Sequence, residues 1–216
     1  MTTSHEQNVR ITKGRLSLEG ILGLPANPRG VVLFAHGSGS GRFSPRNNFV
    51  ARHLQQNGLA TLLLDLLTPD EADDRQKVFD IDLLADRLLL AKAWLEQEPR
   101  TTGLGIGYFG ASTGAGAALQ AAARDPAMIR AVVSRGGRPD LAEPFLASVT
   151  APTLLIIGGD DEPVIEMNQA AYELLTCEKK LVIVPGATHL FEEPGTLEQV
   201  AEQASWWFVR YLKGAG

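Results

Sequence analysis

Short apolar runs recur along this chain, separated by longer segments with helical periodicity. Val31–Ala35, Ala60–Leu64, Leu104–Phe109, Ile129–Val133, Thr153–Ile157 and Lys180–Val184 are the strand candidates. Most are followed at once by Gly, Pro, Asp or Ser, as buried strands are when they give way to turns. Between them the pattern predicts helices over Asn47–Asn57, closed by Gly58, and over Asp73–Gln97, a long amphipathic helix stopped by Pro99. Further helices are predicted over Thr113–Arg124, Pro139–Ser148 (a short one), Val164–Leu175 and Thr196–Leu212. Val9–Thr12 and Arg15–Leu24 read as an opening antiparallel pair turned at Lys13-Gly14. Strands apolar throughout, alternating with helices, predict an α/β fold: a mostly parallel sheet with helices on both faces. A length of 216 residues suits one domain over 1–216, and no repeat or linker interrupts the pattern.

The chemistry gathers at strand ends. Gly110-Ala111-Ser112-Thr113-Gly114 is a G-x-S-x-G pentapeptide between a predicted strand and an Ala-rich helix. A serine on so sharp a turn sits in strained backbone, its hydroxyl pushed out above the sheet. The first N–H groups of the following helix then face whatever the serine attacks. The motif alone is weak, but two further strand ends strengthen it. Gly158-Gly159-Asp160-Asp161 follows Thr153–Ile157, and Gly186-Ala187-Thr188-His189 lies just past Lys180–Val184. The chain order Ser, Asp, His is that of an α/β-hydrolase, with about one helix and one strand in each gap.

With His36-Gly37-Ser38-Gly39 after the first parallel strand, these motifs resemble those of the dienelactone-hydrolase-like group of the α/β-hydrolase superfamily. The resemblance covers nearly the whole chain, from the strand before His36 to the final helix. It implies a serine hydrolase that cleaves an ester, lactone or thioester of a small molecule through an acyl-enzyme, without a cofactor. Dienelactone hydrolases proper use a cysteine nucleophile. Here Ser112 holds that place, and Cys177 is read as lying in a helix far from any elbow. Family members read Gly-x-x-Asp-x-x-Val after the acid-bearing strand. Gly158, Asp161 and Val164 fit that register, so Asp161 is the expected acid, with Asp160 and Glu162 facing solvent or capping a helix. The resemblance also implies an oxyanion hole built from the backbone N–H groups of Ser38 and Thr113. Many relatives insert a lid domain, but Gly137 to Pro152 has room for one short helix only, so none is expected.

In this scheme His189 removes the Ser112 proton while Asp161 fixes the imidazole tautomer. An unperturbed imidazole titrates near pH 6.5, which suits a general base. Of the other histidines, His5 sits in a polar N-terminal tail, His53 falls inside a helix, and His36 ends a buried strand as a hydrogen-bonded structural group. Arg42, Arg46, Arg135 and Arg138 lie near C-terminal strand ends, where α/β sheets place ligands. They raise the expectation of an anionic or carboxylate-bearing substrate. The alternative is pairing with Glu71, Asp140 or Glu143. Trp206 and Trp207 are assigned to packing.

Composition narrows the choice of partners. A net charge of −5 argues against nucleic acid and anionic membranes, and one cysteine fits a reducing compartment, so a cytoplasmic address is expected. Gly105-Ile106-Gly107-Tyr108-Phe109-Gly110 matches the dinucleotide fingerprint G-x-G-x-x-G. Its glycines fall within a strand, however, rather than in the loop after one. No phosphate-loop, His-Glu-x-x-His or Cys-x-x-Cys pattern occurs, so neither nucleotide nor metal is expected. Two rivals stand beside hydrolysis: a non-catalytic ligand-binding member of the fold, and a cofactor-free perhydrolase or haloperoxidase with peroxide as acyl acceptor. The oligomeric state is left open.

Overall fold

The computed structural model describes residues 5–212. Eight strands form one sheet: β1 (His5–Lys13), β2 (Leu16–Leu24), β3 (Val31–Ala35), β4 (Ala60–Leu64), β5 (Ile106–Ala111), β6 (Ile129–Arg135), β7 (Thr153–Gly158) and β8 (Lys179–Val184). Their order across the sheet is β1-β2-β4-β3-β5-β6-β7-β8. β1–β2 and β2–β4 pair antiparallel, and every later pair is parallel. This is the α/β-hydrolase architecture. Gly137 to Pro152 holds only a 3-10 segment, Pro139–Ser148, and no lid.

Burial on both faces explains why the central strands are apolar without alternation. In β3, Val31, Leu33 and Ala35 pack toward α4 (Ile81–Gln97) and α5 (Thr113–Arg124). Val32 and Phe34 pack toward α1 (Pro45–Gln56) and α7 (Thr196–Tyr211). α6 (Glu162–Leu174) joins the first of these layers through Val164 and Ala171. Small residues bring α5 closest to the sheet: Ala115, Ala117, Ala118, Ala121 and Ala122 are all buried. The fingerprint glycines serve packing too, since a Cβ on Gly107 would stand 2.6 Å from the Phe208 ring.

Several elements depart from the sequence pattern. The long helix begins at Ile81, not Asp73. Asp80 caps it by accepting the Leu83 N–H at 2.9 Å. Two short helices precede it, α2 (Pro69–Ala72) and α3 (Arg75–Val78). α2 opens with a capping box between Thr68 and Glu71, and Asp74 caps α3. Aspartate and threonine side chains compete with helix continuation in this way, so periodicity alone ran the segments together. β5 extends to Ala111 because its partners hold it to the end, pairing Gly110 with Ala35 and Ala111 with Arg135. His5 lies in β1 opposite Leu24, not in a tail. Cys177 lies in the bend between α6 and β8, outside any helix, with its Sγ 3.7 Å from Thr153 Oγ1. Trp207 is buried and donates its indole N–H to the Pro152 carbonyl at 3.1 Å. Trp206, about 100° round the helix, is 47% exposed under Lys180 and Arg210.

The closest approach of helix to sheet is at Gly114, where an added Cβ would clash with the carbonyl oxygens of Ala35 and His36. Gly114→Ala is therefore expected to destabilise the fold by about 1–3 kcal/mol, the usual scale of overpacking. A urea midpoint equal to wild type would show that this approach has slack.

Candidate active site

Ser112 is the single residue between β5 and α5. Its φ of 51° and ψ of −123° lie where L-residues rarely go, at a cost of about 1–3 kcal/mol. Surrounding backbone over-determines that conformation. The Ser112 N–H donates to the Arg135 carbonyl at 3.3 Å, and the Ser112 carbonyl accepts from Ala115 and Arg138, each at 3.0 Å. The side chain makes no capping hydrogen bond to α5, which leaves the hydroxyl available above the sheet.

The imidazole and carboxylate come together because two loops are tied backbone to backbone. Gly159 N–H donates to the Val184 carbonyl at 2.8 Å, and Asp160 N–H to the Ala187 carbonyl at 3.0 Å. His189 Nδ1–H then donates to Asp161 Oδ2 at 2.7 Å, which leaves Nε2 free to accept a proton. Asp161 occupies the N-cap position of α6 yet makes no side-chain cap bond, so its carboxylate serves His189. Asp160 and Glu162 are exposed. Gly136 joins the two halves of the site. It directly follows Arg135, which holds the Ser112 N–H, and a Cβ on it would stand 3.6 Å from His189 Cε1.

At the expected oxyanion hole, Thr113 opens α5, so its N–H has no partner within the helix. Ser38 is exposed on the loop after β3, and its N–H donates to Thr113 Oγ1 at 3.1 Å. Beside this pair lies a cavity of about 630 Å³. The His36–Gly41 loop forms its polar rim, while Phe43, Leu67, Val78 and Leu84 make an apolar wall. That wall depends on the break before α4. The sequence pattern missed it, although Thr68-Pro69-Asp70-Glu71 already carried the S/T-x-x-E capping signal.

The four arginines are not equivalent. Arg138 forms a two-point pair with Asp140 at 2.9 and 2.7 Å. Arg42 pairs with Asp65, which also accepts the Arg42 backbone N–H at 2.6 Å. Arg46 lines the cavity and reaches exposed Glu192 at 2.8 Å, with its Nε buried and unpartnered. Arg135 is 6% exposed and has no carboxylate partner among the described residues. Its contacts are Asn47 Oδ1 at 3.5 Å and the Phe191 ring at 5.8 Å. Burial, with Arg46 nearby, pushes the Arg135 guanidinium down to about 10, so it stays charged at neutral pH. The anticipated pairing with Asp140 therefore holds for Arg138. Glu71 instead pairs with Arg87, at 2.8 Å.

Residues 18–212 match the dienelactone hydrolase family. The chain belongs to that family. A crystal structure of a dienelactone hydrolase from Anabaena variabilis is 58% identical, with a TM-score of 0.94 over 97% of this chain and 99% of that one. An esterase domain from a Rhodothermus marinus protein shares the fold at 20% identity, with a TM-score of 0.76 over 96% of this chain and 99% of that one. A Mycobacterium tuberculosis protein provisionally named a phosphoribosyl transferase is 57% identical over 211 residues, which is 98% of this chain and 48% of that protein. The chain thus spans about half the length of the curated relatives it matches. Family and fold support a hydrolase. Among the described residues, no helix is long and apolar enough to cross a membrane, and no group of His, Cys, Asp and Glu is placed to hold a metal ion.

His36 anchors the loop after β3 in the structural role its position suggested. Its Nδ1–H donates to the Gly37 carbonyl at 3.0 Å and its Nε2 accepts the Leu66 N–H at 3.0 Å, so the ring is neutral. Burial pushes its pKa below the usual imidazole value, against the opposing effects of the Gly37 bond and Asp65. The unfolded chain takes up a proton as pH falls through about 6.5, and the native ring resists until its lower value is reached. This contribution to stability is therefore complete above about pH 6.5 and is lost below it. Urea midpoints measured from pH 7 to 5 should fall more steeply for wild type than for His36→Gln. Parallel curves would remove His36 from the pH response.

Proposed function

We propose that this chain is a serine-dependent carboxylic ester hydrolase acting on an ester, lactone or thioester of a small molecule. The observation that carries the reading is the His189–Asp161 hydrogen bond of 2.7 Å, taken with a serine held in elbow geometry. Ser112 Oγ attacks the carbonyl carbon as His189 Nε2 takes its proton. The tetrahedral intermediate collapses, the C–O or C–S bond breaks, and the leaving group receives that proton. Water, deprotonated by His189, then attacks the acyl-enzyme and releases the acid, returning the proton to Ser112. The reading assigns hydrolysis, rather than phosphoribosyl transfer, to the half of the Mycobacterium relative that this chain matches.

The cavity supports a substrate whose apolar portion packs against Leu67, Val78 and Leu84. Arg46, which lines the cavity and whose only carboxylate partner is the exposed Glu192, and behind it Arg135, buried without a carboxylate among the described residues, support an anionic group on that substrate. Arg42 and Arg138 drop out of this role because Asp65 and Asp140 already neutralise them.

Two measurements test the proposal. Ser112→Ala should abolish fluorophosphonate labelling and lower kcat by about 10⁶, the loss known for a triad serine. Asp161→Asn should lower kcat by roughly 10³–10⁴. Label retained on the alanine variant would refute the nucleophile. For the anion, a substrate with a carboxylate remote from its scissile bond should be preferred over its methyl-capped analogue by roughly 10- to 150-fold, equivalent to about 1.5–3 kcal/mol. Arg46→Gln should shrink that ratio. Equal turnover of acid and cap by wild type would count against an anionic substrate.

A further inference from the structure

Ser38 N–H, one of the two backbone groups expected to hold an oxyanion, already has an acceptor: Thr113 Oγ1 at 3.1 Å. An N–H carries one hydrogen, so an oxyanion receives less from Ser38 while that bond stands. A hydroxyl differs from a carbonyl in being able to accept and donate at once. With one Oγ1 lone pair engaged by Ser38, the hydroxyl proton is left to point elsewhere. Among the described residues it donates to no protein acceptor. Thr113 is 3% exposed, and what it borders is the cavity that Ser38 and Gly37 also line.

We propose that Thr113 is a catalytic residue that gives the oxyanion two donors, its backbone N–H and its side-chain hydroxyl, with Ser38 acting through that hydroxyl. The proposal rests on Ser112 being the nucleophile. Ser38 N–H orients the hydroxyl and polarises it, because an O–H whose oxygen accepts a hydrogen bond is a stronger donor. The β-branched side chain adds stiffness at χ1, so the group is set before charge develops. No rearrangement is then needed as the carbonyl oxygen becomes negative. Ser38 is a positioning residue in this arrangement.

Thr113→Val keeps the shape of the side chain, removes the hydroxyl and releases Ser38 N–H. With a p-nitrophenyl ester, kcat should fall by roughly 10²-fold, the lower scale for losing one oxyanion donor. KM should change by less than about threefold, since the lost contact belongs to the transition state. Thr113→Ser should recover most of the loss, short of wild type because its χ1 is freer. The rate of fluorophosphonate labelling should follow kcat across the series, as its phosphoryl oxygen enters the same hole. A purely structural role would lower the melting temperature without this split between kcat and KM. If the valine protein does not fold, Thr113→Ala carries the same comparison. A variant without the hydroxyl that turns over as fast as wild type, or faster, would overturn the proposal and show that the hydroxyl merely occupies Ser38. A wild-type protein that neither labels nor hydrolyses would overturn the hydrolase reading and this proposal with it, an outcome distinct from an active wild type matched by its valine variant.

Discussion

The close approach of α5 to the ends of β3 and β5 is the constraint on which the rest of the site depends. A helix can begin one residue after a central strand only if its first turn rests directly on neighbouring backbone. Gly114 supplies that contact, with the Ala35 and His36 carbonyls where its side chain would be. Ser112 takes up the angle between strand and helix in a backbone conformation that costs energy in isolation. Sheet pairing through Ala111 and hydrogen bonds from Ala115 and Arg138 hold it there. The first turn of α5 and the loop after β3 consequently meet beside the serine.

The remaining groups are placed by the parallel sheet itself. β6, β7 and β8 end at the same edge, so their following loops are neighbours whatever their separation in the chain. Backbone bonds from Gly159 and Asp160 to the β8 side bring Asp161 within reach of His189. Asp161 gives up the cap bond that its position in α6 would allow. That local loss is on the order of 1 kcal/mol, small beside the energy of a packed domain. The Asp161–His189 pair is formed at modest cost to the helix that bears the carboxylate.

Charge around the site follows from pairing more than from sequence position. Arg138 lies against Asp140 and Arg42 against Asp65 and Glu19, and such neutralised arginines have little left to offer a ligand. Arg135 is different in kind: a buried guanidinium without a carboxylate partner among the described residues, 5.8 Å from the Phe191 ring, its pKa lowered by burial and by the charge of Arg46. Burying a charge in this way is unfavourable unless something compensates it.

The sequence by itself determined the strand and helix alternation, the elbow at Ser112, the chain order of Asp161 and His189, and hence the fold class. These are local signals: apolar runs, turn residues and a five-residue motif, each legible without knowing what lies opposite. The sequence left Asp160 and Asp161 open; only the family resemblance favoured Asp161, and the structure pairs that residue with His189. Arg138 pairs locally with Asp140, but tertiary structure alone decided the partners of Arg42 and Arg46, because Asp65 and Glu192 lie far from them in the chain. It alone turned Ser38 toward the Thr113 hydroxyl, a contact across 75 positions that no periodicity encodes. The break of the long helix into α2, α3 and α4 stands between these cases. Its caps were written at Thr68, Asp74 and Asp80, but an aspartate stops a helix only where its side chain turns back to the backbone, and that turn is settled by how the downstream helix packs.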